Sequence, residues 1–149
     1  MARMTAASAA LMLLLAVLFA PPAAADDGRV LILQGGTVRC ALSADNVDRG
    51  GGPMAVCERA NGQAWGMSPW ETSKYNQRLN LAIVRGTGEM YWERGTISAS
   101  NAAGGLAVTA GQPYQADGWT ATYDGFRTRI TNDATRHGIF VTEGDVRQF

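Results

Sequence analysis

The chain has 149 residues, 46% of them hydrophobic and 17% charged, and its 13 basic residues balance 13 acidic ones. A neutral chain of this length supports one domain-sized core and lacks the electrostatic footprint of a nucleic-acid binder. Twelve of the basic residues are scattered arginines and Lys74 is the only lysine, so no basic helix fit to lie on a membrane surface is expected either.

The first 25 residues read as an export signal. Arg3 supplies the positive start, "AALMLLLAVLFA" (Ala9 to Ala20) the apolar run, and "PPAAADD" a helix stop followed by small residues at Ala23 and Ala25. Cleavage is expected after Ala25, leaving one domain over 26–149. The apolar run is shorter than the ~20 residues of a membrane helix, so no permanent membrane anchor is expected. The expected location is outside the cell or in its envelope.

Beyond the signal, helical periodicity is nearly absent and turn residues recur about every eight to twelve positions. This predicts an all-β, single-domain antiparallel sandwich or partly open barrel of about eight to ten short strands, with at most one short helix. "VLIL" (Val30 to Leu33) is an apolar run suited to a central strand. "TVRCALSADNVDRGGGPMAVCER" predicts two strands around a glycine-rich loop at Asp45 to Pro53. Cys40 and Cys57 are the only cysteines, and an even count in an exported chain predicts one disulfide. Closing a loop of this length stabilises by roughly 3 kcal/mol. In "MSPWETSKY", Ser68, Pro69 and Glu71 have the spacing of a capped helix start, which predicts one or two helical turns.

Two further hairpins are predicted with registers. In "RLNLAIVRGTGEMYWER", a Gly86-Thr87 turn sets Ile83 against Met90 and Leu81 against Trp92. In "GWTATYDGFRTRIT", Asp124-Gly125 is a two-residue turn signal that sets Tyr123 against Phe126 and Trp119 against Ile130. The apolar face is then Trp119, Ala121, Tyr123, Phe126, Thr128 and Ile130, and the polar face holds Thr120, Thr122, Arg127 and Arg129. "SASNAAGG" (Ser98 to Gly105) reads as a small-residue loop, and "GIFV" (Gly138 to Val141) as a second buried strand.

Few residues have the pattern of a reaction centre. His137 is the only histidine, and Asp133 four residues before it is the one acid placed to orient it as a base. No serine stands in a nucleophile elbow and neither cysteine is spare, so the segment reads first as a turn, with Asn132 and Asp133 bonding local backbone and Gly138 allowing a positive φ. Glu89 and Glu93 share a strand face but stand about 13 Å apart at ~3.3 Å per residue, too far for a glycosidase pair. Glu143 and Asp145 flank Gly144 in a solvated turn. "GGGP" and "GTGE" lack the lysine and helix of a phosphate loop. No metal site and no cofactor is expected, since two cysteines and one distant histidine do not make a zinc set. Trp65, Trp70 and Tyr75 cluster where alternation breaks down, which makes them either a plug at one end of the fold or a surface that stacks on sugars or anchors a protein.

The two-cysteine segment "TVRCALS…AVCER", together with "GQPYQADGWTATYDGFRTRITNDATRHGIFVTEGDVRQF", resembles a family of small exported proteins of mycobacteria and related actinobacteria. The likeness covers most of residues 26–149. Arg136 departs from it where the family tends to have glycine, and Ile130 where it tends to have phenylalanine. The resemblance implies export, a disulfide and an all-β domain, and brings no catalytic residue. The expectation is thus a secreted or envelope-associated, non-enzymatic domain that binds a protein or glycan partner through Trp65, Trp70 and Tyr75. The alternatives are a small hydrolase using His137 and Asp133, and a structural envelope protein.

Overall fold

The structure is a computed structural model that describes residues 28–72, 76–97 and 105–149. The expected export signal at 1–25, Tyr75 and most of the 98–105 loop lie outside the described residues. The described chain is almost entirely β, as two facing sheets and one small ribbon. Strands β1 (Arg29–Leu33), β2 (Val38–Ser43) and β3 (Met54–Arg59) form an antiparallel meander. The ribbon β4 (Trp70–Glu71) and β5 (Gln77–Arg78) follows. Then β6 (Leu81–Arg85) returns to pair with β3, and β7 (Met90–Glu93) pairs with β6. Strand β8 (Leu106–Ala107) lies parallel to β1 on the far edge, completing the order β7-β6-β3-β2-β1-β8. The second sheet is a simple meander of β9 (Tyr114–Ala116), β10 (Trp119–Tyr123), β11 (Thr128–Asn132), β12 (Gly138–Val141) and β13 (Val146–Gln148). Thirteen strands are described where eight to ten were expected; the excess is β4, β5 and β8, each of two residues.

The main core lies between the sheets. Leu31, Leu33, Val38, Leu42 and Val84 face Trp119, Ile130, Ile139 and Val141, all buried. Hydrogen bonds span the same gap: the Trp119 indole N–H donates to the Ser43 carbonyl at 3.1 Å, and the Gln34 carboxamide donates to Thr128 Oγ1 and the Val141 carbonyl at 3.2 Å each. Cys40 and Cys57 are bonded and stand directly opposite each other across β2 and β3, with Cα atoms 4.1 Å apart.

The outer face of the larger sheet is also apolar. Val30, Met54, Val56, Leu81 and Ile83 are buried there, with Ile97 packed against them. The chain after β7 is tied to this face. Asn80 bonds both backbone groups of Gly95, at 2.8 and 3.1 Å, and the Ile97 N–H donates to Glu58 Oε2 at 3.2 Å. Glu58 is wholly buried, and its Oε1 lies 2.8 Å from Arg39 Nη2, an ion pair whose geometry falls short of a hydrogen bond.

Three local expectations are corrected. The predicted turns at 68–75 do not form over the described positions. The Ser68 hydroxyl donates to the Trp65 carbonyl instead of capping a helix, and Arg78 Nη1 bonds the carbonyls of Gly66 and Ser68 at 2.7 and 2.6 Å, holding an extended ribbon. In the β6–β7 hairpin the turn has three residues, closed by the Arg85 N–H on the Glu89 carbonyl at 2.8 Å. Leu81 therefore faces Glu93, and Ala82 faces Trp92. The shift is by one, so Leu81 and Trp92 point to opposite faces; both faces of β6 are covered, and burial does not select between the registers. In the β10–β11 hairpin Tyr123 faces Thr128, and Trp119 faces Asn132. This shift is by two, so the strand faces are as expected, but Phe126 moves into the loop and is 76% exposed. Asp124 explains the wider loop, because its Oδ1 accepts the N–H groups of Phe126 and Arg127 at 2.9 and 2.8 Å.

Candidate functional site

The three aromatics part company. Trp65 is 0% exposed, its ring set edge-on to Trp92 at 6.0 Å and its N–H donating to the Thr142 carbonyl at 3.3 Å. It is a plug between the sheets, so its expected role as a surface contact is corrected. Its bulk and one N–H are satisfied inside. Trp70 is 53% exposed, because β4 belongs to a ribbon that stands apart from both sheets. Tyr75 lies outside the described residues.

Beside Trp70 lies a cleft of about 510 Å³, and Arg78 belongs to both. The Arg78 guanidinium carbon is 4.9 Å from the centre of the Trp70 ring, while the side chain also lines the cleft. Gln63, Gln77, Asn80, Arg94 and Thr96 line the rest. They come from four places: the turn after β3, the ribbon, the link between β5 and β6, and the segment after β7. Arg94 draws these together, donating to Glu71 Oε2 at 2.6 Å and to Gln77 Oε1 at 2.7 Å. The wall is thus rich in carboxamides and guanidinium groups, which offer donors and acceptors to neutral hydroxyls. Comparison with known proteins returns no matching family model, no similar curated protein and no similar solved structure. The site is therefore read from its own chemistry.

His137 and Asp133 are not joined to each other. Asp133 Oδ1 accepts the Thr120 hydroxyl at 2.6 Å. The His137 ring rests against Gly88, where an added Cβ would sit 2.7 Å from Cγ, and Nδ1 lies 3.4 Å from the Phe149 backbone oxygen. The turn that carries them is organised by Asn132, whose Oδ1 accepts the N–H groups of Ala134 and Thr135 at 3.2 and 3.1 Å. The Thr135 hydroxyl donates to the Gly86 carbonyl. Residues 132–137 thereby dock onto the β6–β7 turn and tie the sheets together at that end. The residue with positive φ in this turn is Arg136 at 69°, not Gly138. Gly138 is needed for a different reason: a Cβ there would stand 1.9 Å from the Ile130 carbonyl oxygen.

The remaining carboxylates considered for catalysis are held in ion pairs. Glu89 meets Arg85 at 3.4 Å, Glu93 meets Arg49 at 2.9 Å, Glu143 meets Arg59 at 4.0 Å and Asp145 meets Arg147 at 3.0 Å. Among the described residues no group of three or more histidine, cysteine, aspartate or glutamate side chains is placed to hold a metal ion, and no helix is long and apolar enough to cross a membrane.

Proposed function

We propose that this is an exported, envelope-associated binding domain, related to the small actinobacterial proteins it resembles, and that Trp70 and the cleft beside it bind a glycan. The observation that carries this reading is the half-exposed indole of Trp70, joined through Arg78 to a carboxamide-rich cleft. Arg78 covers part of one ring face, and about half of the residue stays open to solvent. An aromatic face takes the C–H face of a sugar ring, while Gln63, Gln77 and Asn80 suit its hydroxyls. The disulfide suits an oxidising compartment.

The test is titration of the disulfide-bonded domain with defined envelope oligosaccharides, followed by tryptophan fluorescence. Trp70 is the most exposed tryptophan that responds, since Trp65 and Trp119 are wholly buried. Trp70→Ala is expected to lose the response and weaken binding at least tenfold, about 1.4 kcal/mol, with an unchanged melting curve. Binding retained by the variant, or capture of a protein partner with no response to any glycan, would sink the reading.

A further inference from the structure

The outer face of the five-stranded sheet carries a second cleft of about 510 Å³ that shares no residue with the one beside Trp70. We infer that it binds a singly anionic sugar, a carboxylate-bearing hexose of the uronic-acid type, with Arg129 and Arg136 on the carboxylate and Thr120, Thr122, Gln115 and Asp133 toward the hydroxyls. All six side chains line the cleft. The polar face of β10 and β11 supplies most of them, because Thr120, Thr122 and Arg129 alternate with the core residues Trp119, Ala121 and Ile130.

The charge pattern selects the ligand class. Among the described residues, Arg129 and Arg136 have no carboxylate at ion-pair distance, whereas neighbouring Arg127 meets Asp124 at 3.5 Å and Arg147 meets Asp145 at 3.0 Å. Two guanidinium groups against the single carboxylate of Asp133 leave one net positive charge in the cleft, which matches one negative charge on a ligand. Asp133 is also an acceptor, and it opposes a multiply charged phosphate while suiting hydroxyl donors.

The two arginines are set differently. Arg129 is stacked over the Phe149 ring at 4.4 Å and near Phe140 at 5.7 Å, and these two rings lie 4.7 Å apart. A guanidinium stacked in this way keeps its in-plane donors free for a bidentate contact. Arg136 occupies the left-handed region at φ 69°, where a residue with a Cβ is strained and glycine is not. A backbone strain retained beside a lined cleft points to a use for that side chain.

The experiment is NMR titration of the disulfide-bonded protein with D-glucuronate, D-glucose and inorganic phosphate as separate probes, with affinities read only at the amides of β10, β11 and residues 133–136. Glucuronate is expected to bind at least about tenfold more tightly than either of the others. Arg136→Gly removes the guanidinium and the strain together, so it is expected to melt no earlier than the parent while losing glucuronate affinity at least about tenfold. Arg129→Lys, which keeps charge but not the fork, is expected to fall between. Trp70→Ala is expected to leave glucuronate binding unchanged, which separates this site from the first. Glucose binding as tightly as glucuronate, phosphate binding as tightly as glucuronate, no glucuronate binding, or full affinity in Arg136→Gly would each overturn the inference.

Discussion

At the scale of single residues, the turn from Asn132 to Gly138 shows how one position type serves unlike purposes. Arg136 bears the unusual backbone, His137 packs its ring on a glycine of the opposite sheet, and Gly138 makes room for a carbonyl. Gly138→Ala should therefore be among the most damaging small changes in the protein, costing about 3 kcal/mol or more, because backbone rather than a movable side chain stands in the way. Denaturant unfolding at equilibrium measures this, and a loss below about 1 kcal/mol would mean that β11 and β12 separate easily. His137→Asn should cost about 1 kcal/mol or less and leave ligand binding intact, since its contacts are one ring face and one long polar contact. A variant that melts normally but loses a measurable turnover would reveal imidazole chemistry.

At the scale of elements, Asp124 sets the β10–β11 loop, and its carboxyl is held below the ordinary carboxylate range by the backbone N–H groups of Arg127 and Phe126. A depressed value means the charged form favours the folded loop. The contribution is present above the unfolded value near pH 4 and fades as pH falls through the lower folded value. A carbon-detected NMR titration should place the Asp124 midpoint below 3.8, and a midpoint at or above that value would show the two hydrogen bonds absent in solution. The strands themselves were legible from alternation, and the cysteine pair from its even count and the expectation of export. Registers were less so. A shift of two, as at Asp124, leaves every face unchanged and is silent to any pattern of burial. The shift of one at Gly86 was hidden because β6 is apolar on both sides. The ribbon was illegible because Ser68, Pro69 and Glu71 carry a helix-start pattern, while Arg78, ten positions after Ser68, decides the outcome. For the site, Trp70 was visible as an aromatic among turn residues. Gln63, Asn80 and Thr96 carried no signal of their own, since only the topology assembles them.

At the scale of the whole molecule, the two meanders are joined by an unlike step. The chain leaves β7 at one edge of the larger sheet, is pinned over the outer face at Gly95 and Ile97, and re-enters as β8 at the other edge. There the Val108 N–H donates to the Ile32 carbonyl at 3.0 Å, continuing the parallel pairing along β1. Val108→Pro would remove that donor and loosen the short strand. Its expected effect is concentration-dependent self-association with gain of thioflavin fluorescence, at a cost in monomer stability of only about 1 kcal/mol. A variant that stays monomeric at high concentration would show that β1 needs no cover. The consequence concerns contact between copies, since an uncovered apolar strand edge is a template for pairing with another chain. Strand β1 is apolar from Val30 to Leu33, and the two residues of β8 pair with the edge that β2 leaves open. The short strand thus covers the edge at which a second copy would add, and Val108→Pro tests that cover.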